Sequence, residues 1–294
     1  MYLIKKSIDY LKSIVEKPDL ITALSQVTNL TAISIRNAIS DVIEGHYSLE
    51  EKAAIENIEN LRSRLLTSND PVNIISYGAG SPTAKKSEEK MYKGISVSNT
   101  IGNICRTTSK PPFWAQILFK IIRHTKVEKC LELGTSVGIS GLYQASALRL
   151  NGAGVLKTME GSPEVAEIAK NNFNSLEIKN VSVIVGRFQD NLDTLLEEGN
   201  YDYAFIDGHH DRDATILHFN RIYHGFSAQG LIVFDDIKWS DGMIEAWNSI
   251  IADKRITVSI DLGPIGICVI NKNSQEKNDY KIRLPNYDLK KKGK

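Results

Sequence analysis

The sequence predicts an α/β fold, a doubly wound sheet of mainly parallel strands behind a helical N-terminal extension. Three observations carry this. Lys129 to Leu142, KCLELGTSVGISGL, reads as an apolar strand, a glycine-punctuated turn and the start of an apolar-periodic helix. Short apolar runs near 129 to 134, 154 to 160, 181 to 186, 201 to 207 and 230 to 235 are separated by helix-length segments. Connections of that length imply parallel pairing and right-handed crossovers. The last two runs, 256 to 261 and 265 to 270, are separated only by Leu262, Gly263 and Pro264, too few residues for a crossover, and predict an antiparallel hairpin at the sheet edge.

In chain order, residues 1 to about 68 read almost wholly as helix, with breaks near Lys17 and Pro18, near Gly45 and His46, and at Asn69, Asp70 and Pro71. Leu3, Ile4, Ile8, Leu11 and Val15 make one apolar face, and Ile55, Ile58, Leu61 and Leu65 make another. Such faces bury against something, here the α/β domain or a second copy of the chain in a homodimer. Residues 70 to 110 show the least regularity, with Tyr77-Gly-Ala-Gly-Ser81-Pro82, the charged run Lys85 to Lys90, and a polar stretch ending at Ser109-Lys110-Pro111-Pro112. A long segment of this kind suits a lid or a substrate loop. Phe113 to Arg123, FWAQILFKIIR, is an apolar helix leading into the first strand. The chain thus divides into an extension with a lid or linker over 1–110, an α/β domain over 111–280, and a basic, solvated tail over 281–294.

Lys plus Arg (36) nearly balances Asp plus Glu (35), so no global field argues for nucleic acid or an anionic membrane as partner. Cys105, Cys130 and Cys268 lie far apart, match no zinc spacing, and read as buried thiols of a reducing compartment. The lysine-interrupted start has no leader-like apolar core, and no later run has membrane-spanning length. The expectation is a soluble, cytoplasmic protein acting on a small molecule.

In an open α/β sheet, ligands bind beyond the carboxyl ends of the strands. The first strand carries Glu132 near that end. Gly134 and Gly138 then let the backbone bend sharply and approach a ligand, and the following helix N-terminus suits a carboxylate or phosphate. The spacing E-x-G-x-x-x-G is not the G-x-G-x-x-G of nicotinamide and flavin enzymes. Thr135 and Ser136 have the competing role of helix caps. The second strand ends in Glu160-Gly161, where two carboxylate oxygens can accept both hydroxyls of a ribose; Ser162 before Pro163 already supplies a helix cap. The third ends in Gly186-Arg187-Phe188, a border for an adenine face unless Phe188 is core. The fourth ends in Asp207 followed by His209 and His210, and the fifth in Asp235-Asp236. Clustered carboxylates are costly unless a cation or protons compensate them, and oxygen ligands favour Mg²⁺, Mn²⁺ or Ca²⁺. The competing role for Asp235 or Asp236 is a helix cap. An imidazole, ordinarily titrating at about 6.5, can take a proton from a hydroxyl near neutral pH, though paired histidines also serve as metal ligands or loop packing. Trp239 can wall an acceptor pocket.

Together these residues resemble the class I S-adenosylmethionine-dependent methyltransferases, in particular the branch around catechol O-methyltransferase and related bacterial enzymes. The resemblance runs from about Lys129 to Asn271 and rests on the order of Glu132-Leu-Gly134-Thr-Ser-Val-Gly138-Ile-Ser140, Glu160, Asp207 and Asp235-Asp236. It implies a Rossmann-like seven-stranded sheet of order 3-2-1-4-5-7-6 with the last strand antiparallel. It implies S-adenosylmethionine with its methionine part over Gly134, Thr135, Ser136, Gly138 and Ser140, its ribose on Glu160 and Gly161, and its adenine near Gly186, Arg187 and Phe188. It implies a divalent metal, Mg²⁺ or another, on Asp207, Asp235 and Asp236. Where the metal-dependent enzymes carry Asn this chain has Asp236, and where catechol enzymes carry a lysine base it has His210.

The expected activity is transfer of a methyl group to a hydroxyl of a small acceptor, with His210 or His209 taking the proton beside Asp207. Three alternatives stand beside it: a nitrogen acceptor on a peptide or amino sugar, a nicotinamide-dependent oxidoreductase, and a scaffold with a vestigial cofactor site.

Overall fold

The computed structural model describes residues 29–284 except 79, 82, 83, 86 and 283. The apolar face expected over Leu3 to Val15, and with it the first helix offered for a dimer contact, lies outside these residues, as does most of the basic tail. Helix α1 (Leu30–Glu44) starts where the Asn29 side chain accepts the N–H groups of Thr31 and Ala32, and stops at Gly45 in the left-handed region. Helix α2 (Leu49–Thr67) starts on a capping box in which the Ser48 hydroxyl accepts the Glu51 N–H while Glu51 accepts the Ser48 N–H.

The segment expected to be irregular contains its own ribbon. Strands β1 (Pro71–Ser76) and β4 (Ile95–Thr100) pair antiparallel from Pro71 opposite Thr100 to Ser76 opposite Ile95. Between them lie the short strands β2 (Gly80–Ser81) and β3 (Ala84–Lys85) and helix α3 (Glu88–Lys93). The ribbon was hidden because only Val72 of its residues is buried, so no buried apolar run announces it. Helices α4 (Ile101–Thr108) and α5 (Pro112–Thr125) then lead to the sheet.

The alternation is as expected: β5 (Lys129–Leu133), α6 (Ile139–Asn151), β6 (Val155–Glu160), α7 (Pro163–Ser175), β7 (Val181–Val185), α8 (Phe188–Glu197), β8 (Tyr201–Ile206), α9 (Arg212–Gly225), β9 (Phe226–Phe234), α10 (Asp241–Ala252), β10 (Ile256–Asp261) and β11 (Gly266–Asn271). The strands lie in the order β7-β6-β5-β8-β9-β11-β10, with β11 antiparallel to both neighbours, which is the arrangement 3-2-1-4-5-7-6. The hairpin is not the edge, however. Strand β12 (Asn278–Lys281) pairs parallel to β10 and makes an eighth strand. Its sequence, NDYK, has no apolar run to announce it. Beyond it Ile282 is buried and donates its N–H to Asp261, so residues 281 and 282 belong to the sheet rather than the tail.

Period-two alternation gives the sheet two apolar faces. Cys130, Tyr203, Phe205, Leu231 and Val233 face a core shared with α5, α6 and, beyond them, Ala32, Ile35, Ala38 and Ile39 of α1. Leu131, Leu133, Ala204, Ile206, Ile232 and Phe234 face the opposite core under α8, α9 and α10. Within the described residues the N-terminal helices therefore spend their apolar faces inside the chain, with Ile58 and Leu61 of α2 fully buried.

An ion network locks the extension down. Lys120 of α5, 3% exposed, reaches Asp41 at 3.1 Å and Glu51 at 2.8 Å, and Arg123 bonds Glu51 at 2.9 Å. Burial alone would raise the Glu51 carboxyl; the donors on Lys120 and Arg123 outweigh it and hold the group below its ordinary value. No helix of the described residues is long and apolar enough to cross a membrane.

Candidate active site

The carboxyl ends of β5, β6, β8 and β9 open into one cavity of about 510 Å³, within the range of small-ligand sites. Its floor is the turn after β5. Asp207 donates its N–H to the Leu133 carbonyl at 2.9 Å, and a Cβ at Gly134 (φ 107°) would lie 2.1 Å from the Asp207 carbonyl oxygen. Only glycine allows β5 and β8 to part this closely. Gly134, Ser136, Glu160, Gly161, Arg187, Phe188, Asp207, His209, His210, Asp235 and Asp236 all reach the cavity wall.

The other expected residues, Glu132, Thr135, Gly138, Ser140 and Gly186, stand behind that wall. Glu132 is fully buried because strand alternation sends it to the α6 face while Leu131 and Leu133 point the other way. There it accepts from Gln144 at 2.6 Å and Thr158 at 2.5 Å and is also bonded by Ser140. Burial pushes its carboxyl up to about 7 despite these donors. The Thr135 hydroxyl pairs with that of Thr158 at 2.6 Å. Gly138 faces α7, where an added Cβ would meet Ala169 and Phe173 at 3.3 Å, and Gly186 faces Asn191. These five shape the turns rather than line the cavity.

Glu160 is tied to the floor. Its oxygens accept the N–H of Ser136 at 2.8 Å and of Ser162 at 2.9 Å. Burial raises its carboxyl, and these backbone donors partly offset the rise. The Gly161 N–H also bonds this carboxylate, and the part of its roughly four acceptor positions that these donors leave is open to a ligand hydroxyl. Gly161 beside it has a second purpose: a Cβ there would collide with the Tyr77 ring at 2.6 Å, so the glycine admits an aromatic side chain from the N-terminal region. At the third strand end, Arg187 bonds Asp190 and the Tyr92 carbonyl and lies over the Tyr92 ring at 4.4 Å, which joins that rim to the same N-terminal region.

The two histidines part company. His209 packs its ring between Phe188 (5.4 Å) and the buried His218 (5.6 Å), and burial lowers its pKa and drives that of His218 down to about 3. His210 points at the acids, with Nε2 3.5 Å from Asp207 Oδ1 and its ring 5.7 Å from Trp239. Ser136, His209, His210 and Asp236 all hold positive φ without being glycine, a costly conformation that gathers at functional rims.

The acid cluster is compensated from an unexpected direction. Lys110, just before α5, hydrogen-bonds Asp235 through Nζ and lies 3.7 Å from Asp207 Oδ2. Asp207 and Asp235 also share a hydrogen bond; burial and the neighbouring Asp207 push Asp235 up to about 6. Burial works against the Lys110 ammonium, but Asp207, Asp235 and Asp236 together raise its pKa and keep it charged. Donor atoms of Asp207, His210 and Asp235 lie within 4.8 Å of one another, close enough for one ion. An ammonium nevertheless occupies the space between the two carboxylates, and Asp236 is not in that group. As this chain is built, the site does not fit a metal beside Lys110.

Lys110 was not singled out in the sequence, nor were Tyr77 and Thr108, whose hydroxyl meets that of Ser136 at 2.6 Å. Residues 74–78, 104 and 106–111 make one side of the cavity, so the chain crosses the expected domain boundary inside the site itself. The one available signal was Lys110-Pro111-Pro112, a stiff entry into a helix.

Residues 131–237 match a family described as a methyltransferase domain. A protein of Mycobacterium sp. (strain JLS) named "Putative O-methyltransferase" is 37% identical over 99 residues, 33% of this chain and 44% of that protein. Protein-L-isoaspartate O-methyltransferase 1 of Archaeoglobus fulgidus is 34% identical over 79 residues, 27% of this chain and 36% of its own length. The chain thus spans less than half the length of these curated relatives. A solved structure from Staphylococcus aureus titled "putative caffeoyl-CoA O-methyltransferase" shares the fold with a TM-score of 0.50 at 19% identity, over 57% of this chain and 88% of that one. The glycine turn, the strand-end acids and the sheet order agree with these similarities: residues 131–237 match a methyltransferase domain, on a Rossmann-like sheet.

Proposed function

We propose that the protein transfers a methyl group from S-adenosylmethionine to a hydroxyl of a small-molecule acceptor. The observation that carries this reading is that Glu160, clamped to the glycine turn at Ser136, shares one cavity with Asp207 and His210. Glu160 offers free acceptor positions to the ribose, and Phe188 an apolar face to the adenine. Asp207, in the same cavity, would favour the positive sulfonium of the bound cofactor.

The acceptor enters beside His210 and Trp239. When bound, S-adenosylmethionine would supply the methyl group to the acceptor oxygen, the oxygen–carbon bond forming as the sulfur–carbon bond breaks and leaves its electron pair on sulfur. The acceptor's proton passes to His210, oriented by Asp207. His209, packed among Phe188 and His218, acts as wall. Most of the rate comes from holding the partners in line in a shielded cavity. A divalent cation on Asp207, Asp235 and Asp236 is not part of this reading, because Lys110 already places a positive charge between two of the three.

Calorimetric titration with S-adenosylhomocysteine tests the reading. Micromolar binding that is lost in Glu160→Ala supports it; no binding to the wild type overturns it.

A further inference from the structure

Lys110 is the one cation among the described residues that reaches into the acid cluster from outside the sheet. Its backbone is held from both sides: the Lys110 carbonyl accepts from Arg62 Nη1 at 2.8 Å, and Pro111 and Pro112 follow at the start of α5. Ser109 before it donates its N–H to the Cys105 carbonyl. The side chain is therefore aimed by α2, α4 and α5, and its ammonium comes to rest on Asp235 and near Asp207 at the cavity wall. An ammonium has three donors. Asp235 takes one of them, and Asp207 stands on the same side at 3.7 Å as an ion-pair partner only.

We infer that Lys110 is a built-in cation in the place of a divalent ion, and that an N–H not used by Asp235 holds the acceptor oxygen as negative charge gathers there. The inference rests on the methyl-transfer reading for its chemistry, but not for its geometry. His210, on the other oxygen of Asp207, is then left to take the proton, and the two roles that a metal and a base would divide fall to two side chains 100 residues apart. The site needs no metal from solution. A salt bridge that merely pinned the N-terminal region to the sheet would satisfy the same contacts, and the test must separate the two.

The test is Mn²⁺ uptake by chelator-treated protein, followed by electron paramagnetic resonance, alongside turnover and S-adenosylhomocysteine affinity. The wild type is expected to bind no stoichiometric Mn²⁺ and to keep its turnover in EDTA. Lys110→Met vacates the space and is expected to take up Mn²⁺ through Asp207, Asp235 and His210, while its metal-free turnover falls about 100-fold, the size of losing one donor to a developing oxyanion. Its S-adenosylhomocysteine affinity should stay near that of the wild type, which a merely structural role would not predict. The double variant Lys110→Met/Asp235→Asn removes the uncompensated buried charge and guards against a fold defect; it should bind no Mn²⁺ and remain as slow. Stoichiometric Mn²⁺ in the wild type, or unchanged metal-free turnover in Lys110→Met, overturns the inference. Absence of S-adenosylhomocysteine binding by the wild type would instead strike the methyl-transfer reading, and the Mn²⁺ titration, which needs no cofactor, would still decide the place of Lys110.

Discussion

The Glu160 carboxylate accepts the Ser136 backbone N–H at 2.8 Å, so the acid that ends β6 is fastened to the glycine turn that follows β5. A change at either residue therefore moves both halves of the proposed cofactor site. Glu160→Gln keeps one acceptor and most of the shape but loses the charge; Glu160→Ala also frees the turn. The expected order of S-adenosylhomocysteine affinity is wild type, then Gln, then Ala, with Ala weaker by about 100-fold, the scale of two lost charge-assisted hydrogen bonds. Calorimetry reads this directly, and equal affinities would remove Glu160 from the site.

Two glycines of the turn should fail in different ways. A Cβ at Gly134 meets the Asp207 backbone oxygen at 2.1 Å, which nothing nearby can relieve, so Gly134→Ala should lose about 2–4 kcal/mol of stability. A Cβ at Gly138 meets Ala169 and Phe173 at 3.3 Å behind the cavity, so Gly138→Ala should cost less stability and act on the cofactor only through the turn. Thermal unfolding of the two variants checks the ranking.

Glu132 sets a pH dependence. Burial raises its folded pKa to about 7, against about 4.5 for the exposed group. Protons are therefore bound more tightly by the folded chain, and the stability this contributes is full below about pH 4.5 and lost as pH rises toward 7. In Glu132→Gln, which cannot ionise, that loss should vanish. The melting temperature of the Gln variant relative to the wild type should climb between pH 4.5 and 7 and level off above; a flat difference would contradict the assignment.

The two histidines should separate cleanly. His210→Ala removes the proposed base and should lower turnover by about 100- to 10,000-fold with the cofactor affinity retained. His209→Phe keeps a ring between Phe188 and His218 and should leave turnover within a few-fold. Reversed effects in single-turnover assays would exchange their roles.

The strand-end acids were legible in the sequence because each closes an apolar run, and a run's end fixes where its last side chain lies. The order of the sheet followed from connection lengths. Glu132 was read as a site residue, and its place between Leu131 and Leu133, which point to the opposite face, is what sends it behind the cavity. What could not be read is whatever depends on docking: Lys110, Thr108 and Tyr77 belong to segments without strong periodicity, and only the packing of α2, α4 and α5 decides where they point. Strand β12 escaped for another reason. At the sheet edge a polar NDYK is held by backbone bonds to β10, which leave no pattern in side chains.

The most direct test of the account is a crystal structure with S-adenosylhomocysteine. The account predicts the ribose hydroxyls on Glu160, the adenine against Phe188, and the sulfur facing Asp207 with open space toward His210 and Lys110. Density elsewhere on the molecule, or an adenosyl group in this cavity with its sulfur turned away from Asp207, would contradict it.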